Sequence, residues 1–399
     1  MKKHLLLKVV GLLLLVSWSF SVRAEIKVGA PFALTGSISE LAKGMQAGAA
    51  LAMKQVNEQG GVLDQEYKLI FADSACDPSK AVDVVTHLIE EVGVSALVGP
   101  ICSGATLRQA RSVSIPAGVV TLAVASASSL ITRLRDNDLV FRTTASDTYT
   151  GEVMAQYVLA RGIKDIAISF ASDAYNTGIA RVFSEAFKAG GGNISVYQAH
   201  QPDRPDYINE AAALLAGSKN LALFAYYGSS GISLLKNAFA TGKVDQLFAT
   251  GGMLSDQTIA ELGAEKLAST TILNNSSDES REAFKIWQKF AGDAEIPAKG
   301  PFVANAYDVA FMMALAIQSA GSADRKGISA ALRAIAGPEG EVIFPGEFKK
   351  AKRLLSEGKK INYEGGSGSL DFDENGDVLG FFSINRVKEG KWDSQPFPQ

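Results

Sequence analysis

The stretch IKVGAPFALTGSISELAKGMQAGAALAMKQVNEQGGVLDQEYKLIFAD, residues 26–73, contains one complete unit of the pattern that decides the fold. Its opening run, residues 26–30, is short and apolar, as a buried strand is. In the segment that follows, Leu41, Met45, Ala49, Ala52, Met53 and Val56 recur near one helical face, and Gly60-Gly61 supplies the stop. A second apolar run, YKLIFAD, then reads as the next strand. The unit repeats through helix PSKAVDVVTHLIEEV, strand SALVG, a helix from about Gly104 and strand GVVTLAV.

A second series begins after LVFRTTASD. Helices TGEVMAQYVLARG, TGIARVFSEAFKAGG, DYINEAAALLAGS and SGISLLKNAFATG alternate with strands DIAISFA, ISVYQA, LALFAYY and QLFAT. Strand–helix alternation of this kind builds parallel sheets covered by helices. Two consecutive runs of about four such units predict an α/β protein with two doubly wound parallel-sheet lobes. Beyond residue 275 the pattern is mainly helical, and these helices are expected to pack back on the first lobe. The tail, GSLDFDENGDVLGFFSINRV, is expected to add a hairpin turned at Asn375-Gly376.

The N-terminus bears on compartment. Lys2, Lys3 and Lys8 precede or flank a 12-residue apolar stretch, VVGLLLLVSWSF, and Val22 and Ala24 stand at the −3 and −1 positions of a small-residue cleavage site. That stretch is too short to span a bilayer, which takes about 20 residues. The reading is a secretory signal peptide, residues 1–24, cleaved after Ala24. Its removal takes four of the 39 basic residues and no acidic one, leaving 35 against 42 and a net charge near −7. Such a balance disfavours nucleic acid and anionic membrane surfaces as partners.

The chain has two cysteines, Cys76 and Cys102. In an oxidising compartment they are expected to be joined, closing a loop of 26 residues. The rival reading, a catalytic or metal-binding thiol, finds little support in a chain with three histidines, His4, His87 and His200. DFDENGDVLGFF places Asp371, Asp373, Asn375 and Gly376 at calcium-loop spacing. However, its twelfth position is Phe382 where a bidentate glutamate is needed, and no metal site is expected. The chain carries no nucleophile elbow, P-loop, dinucleotide fingerprint or paired metal-binding histidines. Binding is therefore expected over catalysis, with no cofactor.

Open α/β sheets hold ligands at the carboxyl ends of their strands. After SALVG comes Cys102-Ser103-Gly104, where the Ser103 hydroxyl and helix-start N–H groups suit an anionic group such as a carboxylate. A serine at that position also serves simply as a helix cap. AVASASS offers backbone groups at Ala125 and Ala127 and hydroxyls at Ser126 and Ser128. In the second series Tyr175 and Tyr226-Tyr227 follow strands, and an aromatic at a strand end is otherwise core or rim packing.

Through EIKVGAPFALTGSIS, AALAMKQVNEQGGV, ACDPSKAV, LVGPICSGAT and GPFVANAYDVAF, the chain resembles the periplasmic solute-binding proteins of ABC transporters, in the branched-chain amino acid class. The resemblance runs over nearly the whole length after residue 24. It implies the type I periplasmic binding fold: an N-terminal lobe of residues 25–144 plus 275–366, a C-terminal lobe of 145–274 plus 367–399, and a hinge of several crossovers. It also supports the Cys76–Cys102 bridge. It implies that a monomer captures a small solute, most readily an aliphatic amino acid, and delivers it to an inner-membrane permease. By position, Ser103 would receive the carboxylate, Ala125, Ser126 and Ala127 would form the next binding loop, and Tyr175 and Tyr227 would close over the solute. Where such proteins place an acid for the ammonium, this chain reads Gly251-Gly252-Met253, with Gly252 taken into the site. Asp173 or Asp256 is the substitute the sequence offers. A periplasmic sensor of an amide or non-amine carboxylate is the alternative reading, and an exported hydrolase a remoter one.

Overall fold

In the computed structural model, which describes residues 25–397, the strand–helix units assemble into two sheets. The signal peptide and its cleavage site lie outside the described residues. Strands β1 (Glu25–Phe32), β2 (Glu66–Asp73), β3 (Leu97–Val98), β4 (Thr121–Ala123) and β5 (Val140–Arg142) form the first sheet. Its order is β2-β1-β3-β4-β5, parallel throughout. Ile26, Val28, Ala30 and Phe32 are buried along one face of β1, and Gly29 faces Leu88 and Leu97 on the other. Helices therefore cover both faces, as a parallel sheet requires.

The second sheet is built from β6 (Asp165–Ala171), β7 (Asn193–His200), β8 (Asn220–Phe224), β9 (Gln246–Thr250) and β10 (Thr270–Ser276). A small parallel pair, β11 (Glu341–Ile343) with β12 (Ile361–Tyr363), follows in the chain. Then β13 (Phe381–Lys388) and β14 (Lys391–Pro396) return to the second sheet, antiparallel, in the order β14-β13-β10-β9-β8-β6-β7.

Helices Glu282–Asp293, Val303–Ala320, Ile328–Ala334 and Phe348–Ser356 share one apolar core with β1, β3 and β4. Of the 18 residues of Val303–Ala320, 14 are buried, because this helix lies against the first sheet and against helix Ser39–Glu58. The close approach is set at Gly48, where a Cβ would stand 2.6 Å from the Val303 carbonyl oxygen. No helix among the described residues is long and apolar enough to cross a membrane.

The chain passes between the sheets three times: after β5, after β10, and through the segment between Tyr363 and β13. Side chains fasten these crossings. Asn305 Nδ2 donates to the Thr143 carbonyl at 2.6 Å. The Asp308 carboxylate accepts from the Tyr363 hydroxyl, the Gly366 N–H, and both the N–H and hydroxyl of Ser367.

The tail corrects one expectation. Asn375-Gly376 is a turn but does not join two strands; Asp373 pins it by accepting the N–H groups of Asn375 and Asp377. Gly376 O accepts the Arg142 N–H, so the segment is spent on crossing between lobes. The hairpin forms later, between β13 and β14, around Glu389 and Gly390, both at positive φ. Strands β5 and β10 are additions to the sequence reading. The first is three residues ending in a charge, and the second ends in Asn274-Asn275-Ser276, so neither has an uninterrupted apolar signature.

Candidate ligand site between the lobes

The first-lobe rim is built where β1, β2 and β3 end. Asp73 closes β2, and its carboxylate accepts the N–H groups of Leu34, Thr35 and Ala75, the Thr35 hydroxyl and the Lys80 ammonium. Burial raises its pKa, but the bonds from Lys80, Thr35 and Ala75 outweigh that and hold the carboxyl well below the usual range. Three residues on, Cys76 is bridged to Cys102 with Cα atoms 5.5 Å apart, and no free cysteine remains among the described residues. The bridge ties the turn after β3 to the rim that Asp73 organises.

Ser103 starts helix Ser103–Gln109, which runs on through Ala110–Ser114. Its Oγ accepts the Ser128 N–H at 3.1 Å, joining the turn after β3 to the loop after β4. That second loop is held from behind by Arg142, fully buried at the end of β5. Its guanidinium donates to the carbonyls of Ser126 and Ser128, to Thr132 Oγ1 and, through two nitrogens, to the Asp377 carboxylate. The Ala127 carbonyl accepts the Asp147 N–H at 2.7 Å.

On the second lobe, Asp173 caps helix Ala174–Ala189 by accepting the N–H groups of Tyr175 and Asn176 and the Asn176 side-chain amide. This fixes the first turn of the helix and with it Tyr175, whose ring stacks on Tyr226 at 5.8 Å and 23°. Burial raises the carboxyl of Asp173, partly offset by its bonds to Asn176 and Tyr175. Both tyrosine hydroxyls are pushed up by burial and by the acidic groups beneath them, so both are neutral donors at any physiological pH.

These elements enclose a cavity. Ser103, Ala125, Tyr175 and Gly252, all expected at the site, line it together with Ile101 and Cys102. Three of the expected residues stand elsewhere. Ser126 turns its hydroxyl inward, 2.8 Å from Thr106 Oγ1 and within bonding distance of the Pro100 and Ile101 carbonyls. Ala127 is buried behind the loop. Tyr226, not Tyr227, is the second-lobe tyrosine on the cavity, and Tyr227 lines a wider groove beside it. Tyr226, two residues beyond the end of β8, continues the alternation of Ala222 and Phe224, a distinction that the adjacent pair Tyr226-Tyr227 concealed.

Sequence reasoning also missed Ile38, Leu41, Met45, Thr150, Asn274 and Phe302, which complete much of the lining. The available signals were the polar break Asn274-Asn275 after TTIL and the helix-face position of Met45. Phe302 enters at φ 58, an uncommon state for an aromatic residue, just before helix Val303–Ala320.

Among the described residues, no charged side chain lines the cavity. The Gly251-Gly252 pair has a steric cause: a Cβ on Gly251 would lie 2.0 Å from Asn274 Oδ1, and one on Gly252 would lie 2.6 Å from the Ala225 carbonyl oxygen. Asn274 and Tyr226 thus occupy the space an acidic side chain would need. Asp256 begins a helix on the groove side, and the Asp173 oxygens are taken by its cap. Asp147, however, is 1% exposed and keeps Oδ2 without a hydrogen-bond partner. Burial drives its carboxyl well above the usual range, against the pull of Arg142.

Comparison with known proteins agrees with this architecture. The leucine-, isoleucine-, valine-, threonine- and alanine-binding protein of Pseudomonas aeruginosa is 25% identical over 365 residues, 91% of this chain and 90% of that protein. A leucine-binding protein, LivK, from Thermotoga maritima superposes with a TM-score of 0.77 at 22% identity, covering 93% of this chain and 97% of that one. A solute-binding protein of an ABC transporter from R. palustris, in complex with 4-hydroxybenzoate, reaches 0.77 at 15% identity, covering 94% and 96%. These two structures share the fold: two α/β lobes of the type I periplasmic binding class. The sequence pattern of the periplasmic binding protein family matches residues 25–355, most of the chain, and the chain belongs to that family.

Proposed function

We propose that this protein is the solute-binding component of an ABC transporter, capturing a small carboxylate-bearing solute between its lobes and passing it to a membrane permease. The solute class is an aliphatic amino acid. The observation that carries the reading is the cavity itself, where the Ser103 hydroxyl meets a mainly apolar wall and a stacked tyrosine pair. A carboxylate at Ser103 would also meet the first N–H groups of the helix that Ser103 starts. Capture is non-catalytic and acts by shifting an open–closed equilibrium of two hinged lobes, 25–144 with 275–366 and 145–274 with 367–399. Export with cleavage after Ala24 and action as a monomer complete the reading.

An ammonium buried without a partner costs several kcal/mol. Asp147 stands one helical turn before Thr150, which lines the cavity, and its unpartnered Oδ2 is the acceptor such a group needs. Titration calorimetry with L-leucine and 4-methylpentanoate, which lacks the amine, tests this. Wild type is expected to prefer leucine at least tenfold, and Asp147→Asn to lose that preference while keeping its affinity for 4-methylpentanoate. Equal loss for both ligands would make Asp147 structural.

A second reading, a sensor for an amide or non-amine carboxylate, is favoured by the uncharged lining and by the 4-hydroxybenzoate held by the R. palustris neighbour. It takes precedence if 4-methylpentanoate or benzoate binds wild type more tightly than leucine does.

A further inference from the structure

Three side-chain atoms buried where the lobes join have no hydrogen-bond partner: Thr144 Oγ1, Asn275 Oδ1 and Ser276 Oγ. Thr144 stands in the first crossing, two residues beyond β5, and Asn275 and Ser276 end β10, where the second crossing begins. All three residues line one small pocket with Ser367 and Leu379 of the third crossing and with Asn305. The crossings meet closely there. A Cβ on Gly380, in the third crossing, would stand 2.3 Å from the Ala145 Cβ and 3.2 Å from Asn275 Oδ1.

A polar atom buried without a partner gives up its hydration and gains nothing in return. Such groups persist only where the surrounding structure imposes them, and their gathering at a moving joint points to a use. In this structure the lobes touch, with Gly228 packed against the Ser37 carbonyl oxygen and Arg181 donating to Ser129 Oγ. Any rotation that parts the lobes must turn the three crossings against one another, which loosens their packing and lets water reach the hydroxyls. Closing the lobes strips that water away.

We propose that the polar crossings are a built-in bias toward the open form: the Thr144 and Ser276 hydroxyls are hydrated when the lobes part and stranded when they close, so solute binding works against them. The inference rests on the reading above only in that the lobes close on a solute. Neither residue lines the ligand cavity, so affinity is set in part by side chains that never touch the solute.

Thr144→Val keeps the outline of the side chain and removes one hydroxyl; Ser276→Ala removes the other. Titration calorimetry with L-leucine, 4-methylpentanoate and benzoate is paired with thermal unfolding of the empty protein. Each variant is expected to bind every probe that wild type binds about fivefold or more tightly, by the same factor for each. The melting temperature of the empty protein should not change, because its hydroxyls are already hydrated. Unchanged or weaker binding overturns the proposal, and a raised melting temperature with unchanged affinity shows atoms stranded in both forms. A gain confined to one probe also overturns it, since that is the mark of direct contact. Binding of none of the three probes by wild type overturns the solute reading and this inference with it.

Discussion

Arg142 and Asp377, 235 residues apart in the chain, form a two-pronged ion pair with both contacts at 2.7 Å. One partner ends the last strand of the first sheet, and the other lies in the third crossing between lobes. The same guanidinium holds the carbonyls of Ser126 and Ser128, so the third crossing and the loop after β4 share one buried charge.

Removing one partner of such a pair strands the other. Asp377→Ala is expected to destabilise the protein by about 3–5 kcal/mol in urea unfolding, whereas the double variant Arg142→Met with Asp377→Leu costs less. Equal losses in the two proteins would show that the pair contributes packing and not charge compensation.

The Cys76–Cys102 bridge closes a loop of 26 residues in the unfolded chain. Cys76→Ser with Cys102→Ser should lower unfolding free energy by roughly 3–4 kcal/mol. Solute affinity should fall as well, because the turn bearing Ser103 is no longer tied to the Asp73 rim. Unchanged affinity in the reduced protein would separate the bridge from the site.

How much of this was legible in the sequence differs between fold and site. The sheets follow from apolar periodicity, which depends only on burial of alternate or every-third-to-fourth residues; the regions 26–73 and 165–250 were read directly. The crossings were not, because β5 and β10 are short or polar-ended strands held by contacts such as Arg142 with Asp377 and Asn385 with Ile272, between residues far apart in the chain. Ser103 and Tyr175 sit at strand ends, where topology alone brings ligands. Tyr226 against Tyr227 depends on one residue of register. Asn274 emerged only when the space above Gly251 could be measured.

That crowded space carries its own prediction. Placing an acid where the pair Gly251-Gly252 stands, as Gly251→Asp, will not create an ammonium site. The new Cβ would lie 2.0 Å from Asn274 Oδ1, so the variant should lose about 1–3 kcal/mol of stability and bind leucine more weakly. Gain of affinity for leucine would contradict the geometry.

His200 is buried between two serine hydroxyls, Ser169 at Nδ1 and Ser230 at Nε2, each at 2.8 Å. Burial lowers its pKa to about 4, with Glu210 opposing and Arg204 assisting. The folded protein therefore favours the neutral ring: the contribution is complete above pH 6.5, the unfolded value, and is lost as pH falls toward 4. The loss amounts to about 3 kcal/mol, and His200→Gln should flatten that part of the stability–pH curve. An unchanged slope would place the acid sensitivity elsewhere.

The most direct test of the central claim, that two lobes close on a solute whose carboxylate docks at Ser103, is titration calorimetry of L-leucine and leucinamide against wild type and Ser103→Ala. The account predicts one leucine per chain, no measurable binding of leucinamide, and at least a tenfold loss of leucine affinity in Ser103→Ala with its melting temperature retained. Leucinamide binding as tightly as leucine, or Ser103→Ala binding leucine like wild type, would contradict it.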